Sequence, residues 1–290
     1  MKIKLFPSLE RKSVSEKIVH ISVSVLFMAV ALSYLYLLVW AFVAACKTHT
    51  EIALEPFGMP EKWNWKNFLT IPELLKVNGN TFWDMLFNSA YFCILCALLT
   101  QFCSLTFAYA LSKYTFPGSK WIYVVILVTI SLPIYGNAGA TYKLYHDLGL
   151  INSYTQIIPS YNGFNMYTLY YFAYFTNLSW TYAEAAKVDG ANDFQIYFKV
   201  MLPQAKPIFG ALFLTHWINL WNSYESHLVY LSEKPTLSVG IYQFNKEMIY
   251  NARLDILFAA CVVVMIPALV LFVVFNKAIT TNVSVGGIKG

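Results

Sequence analysis

The stretch YAEAAKVDGANDFQIYFKVMLPQAKP, residues 182–207, carries Glu184, Lys187, Asp189, Asp193, Lys199 and Lys206 between two long runs without charge. The chain around it is 58% hydrophobic and only 12% charged. The local grammar is helical. TYAEAAKV is a good helix former with Ala at three positions. Asp189-Gly190 stops it, glycine being the preferred left-handed residue after a helix. Asn192 caps a second helix, with Gln195 as its capping-box partner. Phe194, Tyr197, Phe198, Met201 and Leu202 recur at helical spacing and predict one apolar face. Pro203 is expected to end this helix and Pro207 to open the next. The segment therefore predicts a helix–turn–helix outside the bilayer with an apolar-aromatic face. Docking into a groove on another protein fits that shape, and so does lying on the membrane surface. An interfacial helix is usually basic on its polar face, whereas this segment balances three carboxylates against three lysines.

The remainder of the chain defines a membrane. A charged fraction of 12% is about half that of a soluble domain. Aromatic residues reach 18% and the mean hydropathy is +0.52. Six intervals lack Lys, Arg, Asp and Glu for eighteen or more residues. They are 18–46, 85–112, 121–142, 148–183, 207–224 and 256–276. Crossing the hydrocarbon takes about 20 residues of helix, and helices are the option for spans of this kind. An all-α integral membrane protein with six transmembrane helices follows. With the N-terminus inside, the inner segments carry 12 Lys/Arg against 8 outside, and the net charge is +7 inside and −2 outside. The positive-inside rule then places both termini, and residues 182–207, in the cytoplasm. The overall charge of +5 is a topology signal and gives no ground for nucleic-acid binding.

The expected organisation is a cytoplasmic N-terminus (1–17), a six-helix transmembrane region (18–280) with a charged loop at 181–206, and a cytoplasmic tail (281–290). The first uncharged interval runs 29 residues. Signal h-regions run about 7–15, so it reads as an uncleaved helix. SKYTFPGSK predicts a cytoplasmic hairpin. Residues 47–82 predict an ordered outside loop with short helices, with Trp63, Trp65 and Phe68 suited to the interface. The interval 148–183 is too long for one helix and is interrupted by Pro159, Asn162 and Gly163. Pro133 and Gly136, and also Pro267, are expected to bend their helices. Five cysteines fall in or at the end of spans. The C-x-x-C of CILC lies in apolar helix with no His near it in sequence, and small packing residues explain it.

EAAKVDGANDFQIYFKVMLPQAKP resembles the E-A-A-x-x-D-G-A…I-x-L-P loop of ABC-importer membrane subunits. Glu184, Ala185, Ala186, Asp189, Gly190, Ala191, Leu202, Pro203 and Pro207 are in register, and Met201 stands where the family has Ile or Val. PEKWNWKNF, LGLINSY and WNSYESHLVYL are similar to further stretches of the family. VSVGGIKG is similar to the end of the carbohydrate subgroup's G-type subunit. The polar Glu225-Ser226-His227 departs from the pattern. The resemblance implies the transmembrane fold of a type I importer in a bacterial cytoplasmic membrane. It implies coupling helices, Phe194 included, that dock on a cytoplasmic ATPase dimer. A tail, Gly286, Gly287, Ile288, Lys289 and Gly290, would also contact that ATPase. A second permease subunit and an extracytoplasmic solute-binding protein would complete the machine. Sugar is the expected cargo, with peptide or phosphonate as alternatives.

No G-x-x-x-x-G-K-[ST] is present, so ATP would be bound by the partner ATPase. The five His are scattered without metal-ligand spacing. An integral-membrane enzyme would need a polar catalytic cluster at one membrane face, and the sequence shows none. Candidate path residues are the stripe His216, Asn219, Ser223 and Ser226, with Asn222 beside it. Trp217 and Trp221 lie on the opposite side. Tyr167, Tyr170, Tyr171 and Tyr174 share a face, and their rings could stack on a sugar. Helix–helix packing explains both sets equally.

Overall fold

The computed structural model describes residues 13–132, 138–160, 164–251 and 253–282. In chain order the helices are α1 (Val14–Ala45), α2 (His49–Leu54), α3 (Lys66–Leu74), α4 (Phe82–Lys113), α5 (Ser119–Ser131) and α6 (Ala138–Asp147). A 3-10 helix (Tyr154–Ser160) leads to α7 (Met166–Asn177) and α8 (Thr181–Val188). The short turn α9 (Asp193–Gln195) and a π-helical stretch (Ile196–Met201) run into α10 (Leu202–Asn222). The chain continues through α11 (Glu225–Tyr230), α12 (Leu237–Tyr250) and α13 (Leu254–Asn282). The described residues hold no β-strand, only a single bridge between Val77 and Asn80.

Three described helices are long and apolar enough to cross a membrane: α1, α4 and Leu254–Phe275 within α13. Ser119–Ser131 is shorter but apolar. The interval 148–183 divides as expected, into the 3-10 helix and the 12-residue α7. At 1.5 Å per residue α7 is only about 18 Å long. The bends expected at Pro133 and Gly136, and the interruption at Asn162 and Gly163, lie outside the described residues. Pro267 sits inside α13 without ending it.

The chain divides into two compact units, 1–69 with 248–262 and 70–247 with 263–290. In the first unit, α1 starts at a capping box in which Ser13 and Glu16 satisfy each other's backbone N–H groups. Its apolar side chains are exposed along most of its length, with Phe27 at 69%. Its end is tied down by Asn67, whose Nδ2 donates to the carbonyls of Ala45 and Lys47 at 2.9 Å each. Trp40 Nε1 donates to the Pro56 carbonyl at 2.9 Å. Trp63 and Trp65 stack at 5.9 Å. The loop after α1 is thus ordered and carries the expected short helices.

In the second unit, α4 packs along α7 and α10. Fifteen of its residues are buried, Gln101 and Ser104 among them. Buried amides and hydroxyls need partners, and these bond across the helices. Tyr171 Oη donates to Gln101 Oε1 at 2.7 Å, Gln101 Nε2 to the Leu212 carbonyl at 3.3 Å, and Asn165 Nδ2 to Ser104 Oγ at 2.8 Å. The core beneath residues 182–201 joins Leu105, Ala108 and Tyr109 of α4 to Tyr171 and Phe175 of α7 and to Ala183, Ile196, Tyr197, Met201 and Ala205.

Candidate functional site

The charged segment folds as a helix–turn–helix for the reasons legible in its residues. After α8, Gly190 adopts φ +81°. Its N–H donates to the Lys187 carbonyl at 3.0 Å, and the Ala191 N–H donates to that of Ala186 at 2.9 Å. This is a Schellman ending, which requires the left-handed residue. Asn192 and Gln195 then form a capping box at 2.9 and 3.0 Å. Lys187 Nζ lies 3.5 Å from Asp193 Oδ1 across the turn, and both side chains are exposed.

Two features differ from expectation. Pro203 does not end the helix: the π-helical stretch feeds directly into α10, and Pro203 sits in that helix's first turn. Pro203 and the interior Pro207 each remove one N–H from the helical ladder, yet α10 runs through both to Asn222. The single apolar face is in fact two. Tyr197 and Met201 point into the core with Ile196, whereas Phe194 (78% exposed) and Phe198 (50%) face outward. Leu202 is half-buried against that core. The π-helical turn is the reason, since a wider turn changes which positions share a side. Burial of Ile196, Tyr197 and Met201 contributes about 1.5–3 kcal/mol each as an upper range. Tyr197 Oη also pairs with Thr106 Oγ1 of α4 at 2.7 Å, and Tyr174 Oη donates to the Gln204 carbonyl at 2.6 Å. The segment is anchored through one face and presents Tyr182, Glu184, Ala185, Val188, Asp189, Phe194 and Phe198 on the other. Ala186 and Ala191 line a shallow recess beside Gly190.

The path candidates are divided by the structure. Tyr171 is fully buried and Tyr174 bonds α10, so both hydroxyls serve the bundle. Tyr170 is exposed and Tyr167 half-buried. The Tyr167 ring lies 4.8 Å from the His216 ring. His216 Nδ1 is buried and finds no hydrogen-bond partner among the described residues. Asn219 and Asn222 are exposed, and Asn222 Nδ2 donates back to the Ile218 carbonyl at 2.9 Å. The stripe does not continue as one helix. α10 stops at Asn222, and α11 begins at Glu225. Ser223 caps α10, and its carbonyl accepts from Ser238 Oγ at 2.7 Å. Trp217 and Trp221 stack at 4.7 Å on the buried side, where Trp221 Nε1 donates to the Val264 carbonyl at 3.3 Å. The tail residues 286–290 lie outside the described residues.

The sequence reading also missed a juxtaposition. Cys93 and Cys96 of α4 line one cavity with His227 of α11, from more than 120 residues away. No periodicity announces it, because the helix break at Ser223-Tyr224 creates it. No group of three or more His, Cys, Asp or Glu that could hold a metal occurs among the described residues.

Apolar helices, no strand among the described residues, and a helix–turn–helix anchored on one side and exposed on the other define an all-helical membrane protein. The chain belongs to the family of binding-protein-dependent transport system inner membrane components, whose model matches residues 12–285. That is a family of transport permeases rather than enzymes. Diacetylchitobiose uptake system permease protein NgcG of Streptomyces coelicolor is 28% identical over 86% of this chain and 82% of its own length. Arabinooligosaccharides transport system permease protein AraQ of Bacillus subtilis is 27% identical over 97% of this chain and 99% of its own. A crystal structure of a bacterial ABC transporter involved in the import of the acidic polysaccharide alginate matches with TM-score 0.73 and 26% identity, covering 92% of this chain and 98% of that one. A structure of a bacterial alginate ABC transporter in complex with pentasaccharide-bound periplasmic protein shares the fold, with TM-score 0.61 and 16% identity. The fold is thus that of an ABC-importer transmembrane domain.

Proposed function

We propose that the chain is one permease subunit of an ATP-driven, binding-protein-dependent importer of sugars or oligosaccharides in a bacterial cytoplasmic membrane. It forms half of the translocation path. The observation that carries this reading is the two-sided segment 181–206. One side is locked into the ends of α4 and α7, and the other offers exposed apolar side chains with Glu184 among them. A cytoplasmic ATPase dimer docking there can pull directly on α7 and α10, since α8 follows the first and the π-helical stretch leads into the second. The charge distribution supports six spans with both termini inside. The Tyr167, Tyr170, His216, Asn219 and Asn222 face lines the translocation path, and a second permease subunit supplies its other half. A solute-binding protein delivers cargo from outside, and the 281–290 tail adds to the ATPase contact. The sugar names of similar permeases support the cargo class.

The test is assembly and uptake. Co-expressed with its neighbouring subunits, the wild-type chain should co-purify with the ATPase and support uptake of labelled oligosaccharide. Phe194→Asp combined with Phe198→Asp alters exposed positions and should abolish ATPase co-purification while leaving the partner permease bound. Undiminished co-purification would remove the docking reading.

A further inference from the structure

A cavity of ≈160 Å³ lies within the second unit, bounded by Phe92, Cys93 and Cys96 of α4, Tyr145 of α6, Gln156 and Pro159 of the 3-10 helix, Leu220 of α10, and Ser226 and His227 of α11. Its walls are built where regular structure gives out. The α10–α11 break is on one side and the 3-10 helix on another. Irregular backbone at membrane depth is tolerated where it lines a cavity, and discontinuous helices are where transporters place their sites. The walls are also held from behind. Phe92 meets the His227 ring edge-on at 5.7 Å and stacks on Tyr154 at 5.9 Å. Tyr154 Oη donates to Asn88 Oδ1 at 3.0 Å. Tyr145 packs on Tyr230 at 5.1 Å, and the Asn152 N–H donates to the Tyr230 carbonyl at 2.9 Å. His227 is 93% buried, its Nδ1 3.5 Å from Ser226 Oγ.

The chemistry of the lining is specific. It offers an aromatic wall together with an amide, hydroxyls, an imidazole and thiols, and no Lys, Arg, Asp or Glu stands among its described residues. An aromatic surface beside neutral donors and acceptors suits a polyhydroxylated ring, which shows an apolar face and a rim of hydroxyls. A carboxylate taken out of water there would meet no Lys or Arg, and a charge without such a partner is costly in such a place. We propose that this cavity is a saccharide subsite of the path that accepts a neutral sugar ring and disfavours a uronic acid. This rests on the sugar reading above and names its substrate class.

The cavity's own thiols report on it. In the purified permease–ATPase complex without binding protein, Cys93 and Cys96 are reacted with methyl methanethiosulfonate, and each cysteine is followed by mass spectrometry. Cys261, outside the cavity lining, serves as the control. Diacetylchitobiose or arabinotriose at millimolar concentration should slow labelling of Cys93 or Cys96 at least three-fold and leave Cys261 unchanged, while trimannuronate should protect neither. Gln156→Leu should remove most of the protection. Gln156→Lys, at a half-buried rim position, should transfer it to trimannuronate. Protection by trimannuronate equal to that by the neutral sugars in the wild type overturns the proposal. So does the absence of protection by any probe, or of any labelling at Cys93 and Cys96. In each case uptake of labelled oligosaccharide by the full importer still decides the sugar reading separately.

Discussion

Gly190 sets the angle between the two arms of the proposed docking segment, and its substitution separates geometry from chemistry. Its φ is +81°, and a Cβ built there meets nothing within 4 Å. Gly190→Ala therefore introduces no clash, and its cost is that of the left-handed backbone, about 1–2 kcal/mol. If the ATPase recognises the two arms at their present angle, that cost appears as a 5- to 30-fold loss of ATPase affinity, at about 1.4 kcal/mol per decade. Gly190→Pro goes further. Proline holds φ near −65° and removes the N–H that bonds Lys187 at 3.0 Å, so the Schellman ending cannot form. Because the residue is exposed and touches no core side chain, both variants should insert and bind the partner permease normally. The assay is ATPase titration of the reconstituted permease pair, with cargo-stimulated ATP hydrolysis and uptake measured in parallel. We expect a graded loss in Gly190→Ala and abolition in Gly190→Pro and in Glu184→Lys. Wild-type affinity and uptake in Gly190→Pro would refute the idea that this turn's geometry is what the ATPase reads.

Cysteines placed by substitution at residues 113–120 and 182–206 should be labelled from the cytoplasmic side, and those at 47–80 and 233–251 from outside; impermeant maleimides on right-side-out and inverted vesicles decide it. Asn219→Leu and Asn222→Leu, on the exposed face of α10, should lower transport with assembly intact, and uptake equal to wild type in both would leave these residues with a packing role. Asn67→Ala leaves the Ala45 and Lys47 carbonyls without their shared donor and should cost about 1–3 kcal/mol, read as a lowered Tm of the solubilised protein. Glu51 accepts the Thr48 backbone N–H at 2.7 Å, which holds its carboxyl below the usual carboxylate range. Its contribution to the cap of α2 should be complete above that range and fade as the pH falls through it, which hydrogen exchange at residues 49–54 would follow.

Much of this protein was written locally. The membrane class came from intervals without charge, because a span must be apolar over its own contiguous length. The docking turn came from Gly190, Asn192 and Gln195, because caps and left-handed turns are satisfied by residues three to six positions apart. The ordered loop with α2 and α3 followed from the same short-range rules. What the sequence left undecided was which side of each helix faces the core. The pattern placed Phe194, Tyr197, Phe198 and Met201 on one face, and the π-helical turn, packed against Leu105, Ala108 and Tyr109, turns two inward and two outward. Pro203 reads as a stop in isolation, yet helix continues through it, from the π-helical stretch into α10. The four tyrosines of α7 are equivalent in the sequence; a buried glutamine from α4 and the Gln204 carbonyl of α10 claimed two of them. The Cys93–Cys96–His227 cavity had no sequence signal, since a break in one helix and a residue on another meet only after the chain has folded. Periodicity and capping act over a few residues and can be read along the chain, whereas burial and cavities arise between segments far apart in it and exist only once those segments pack.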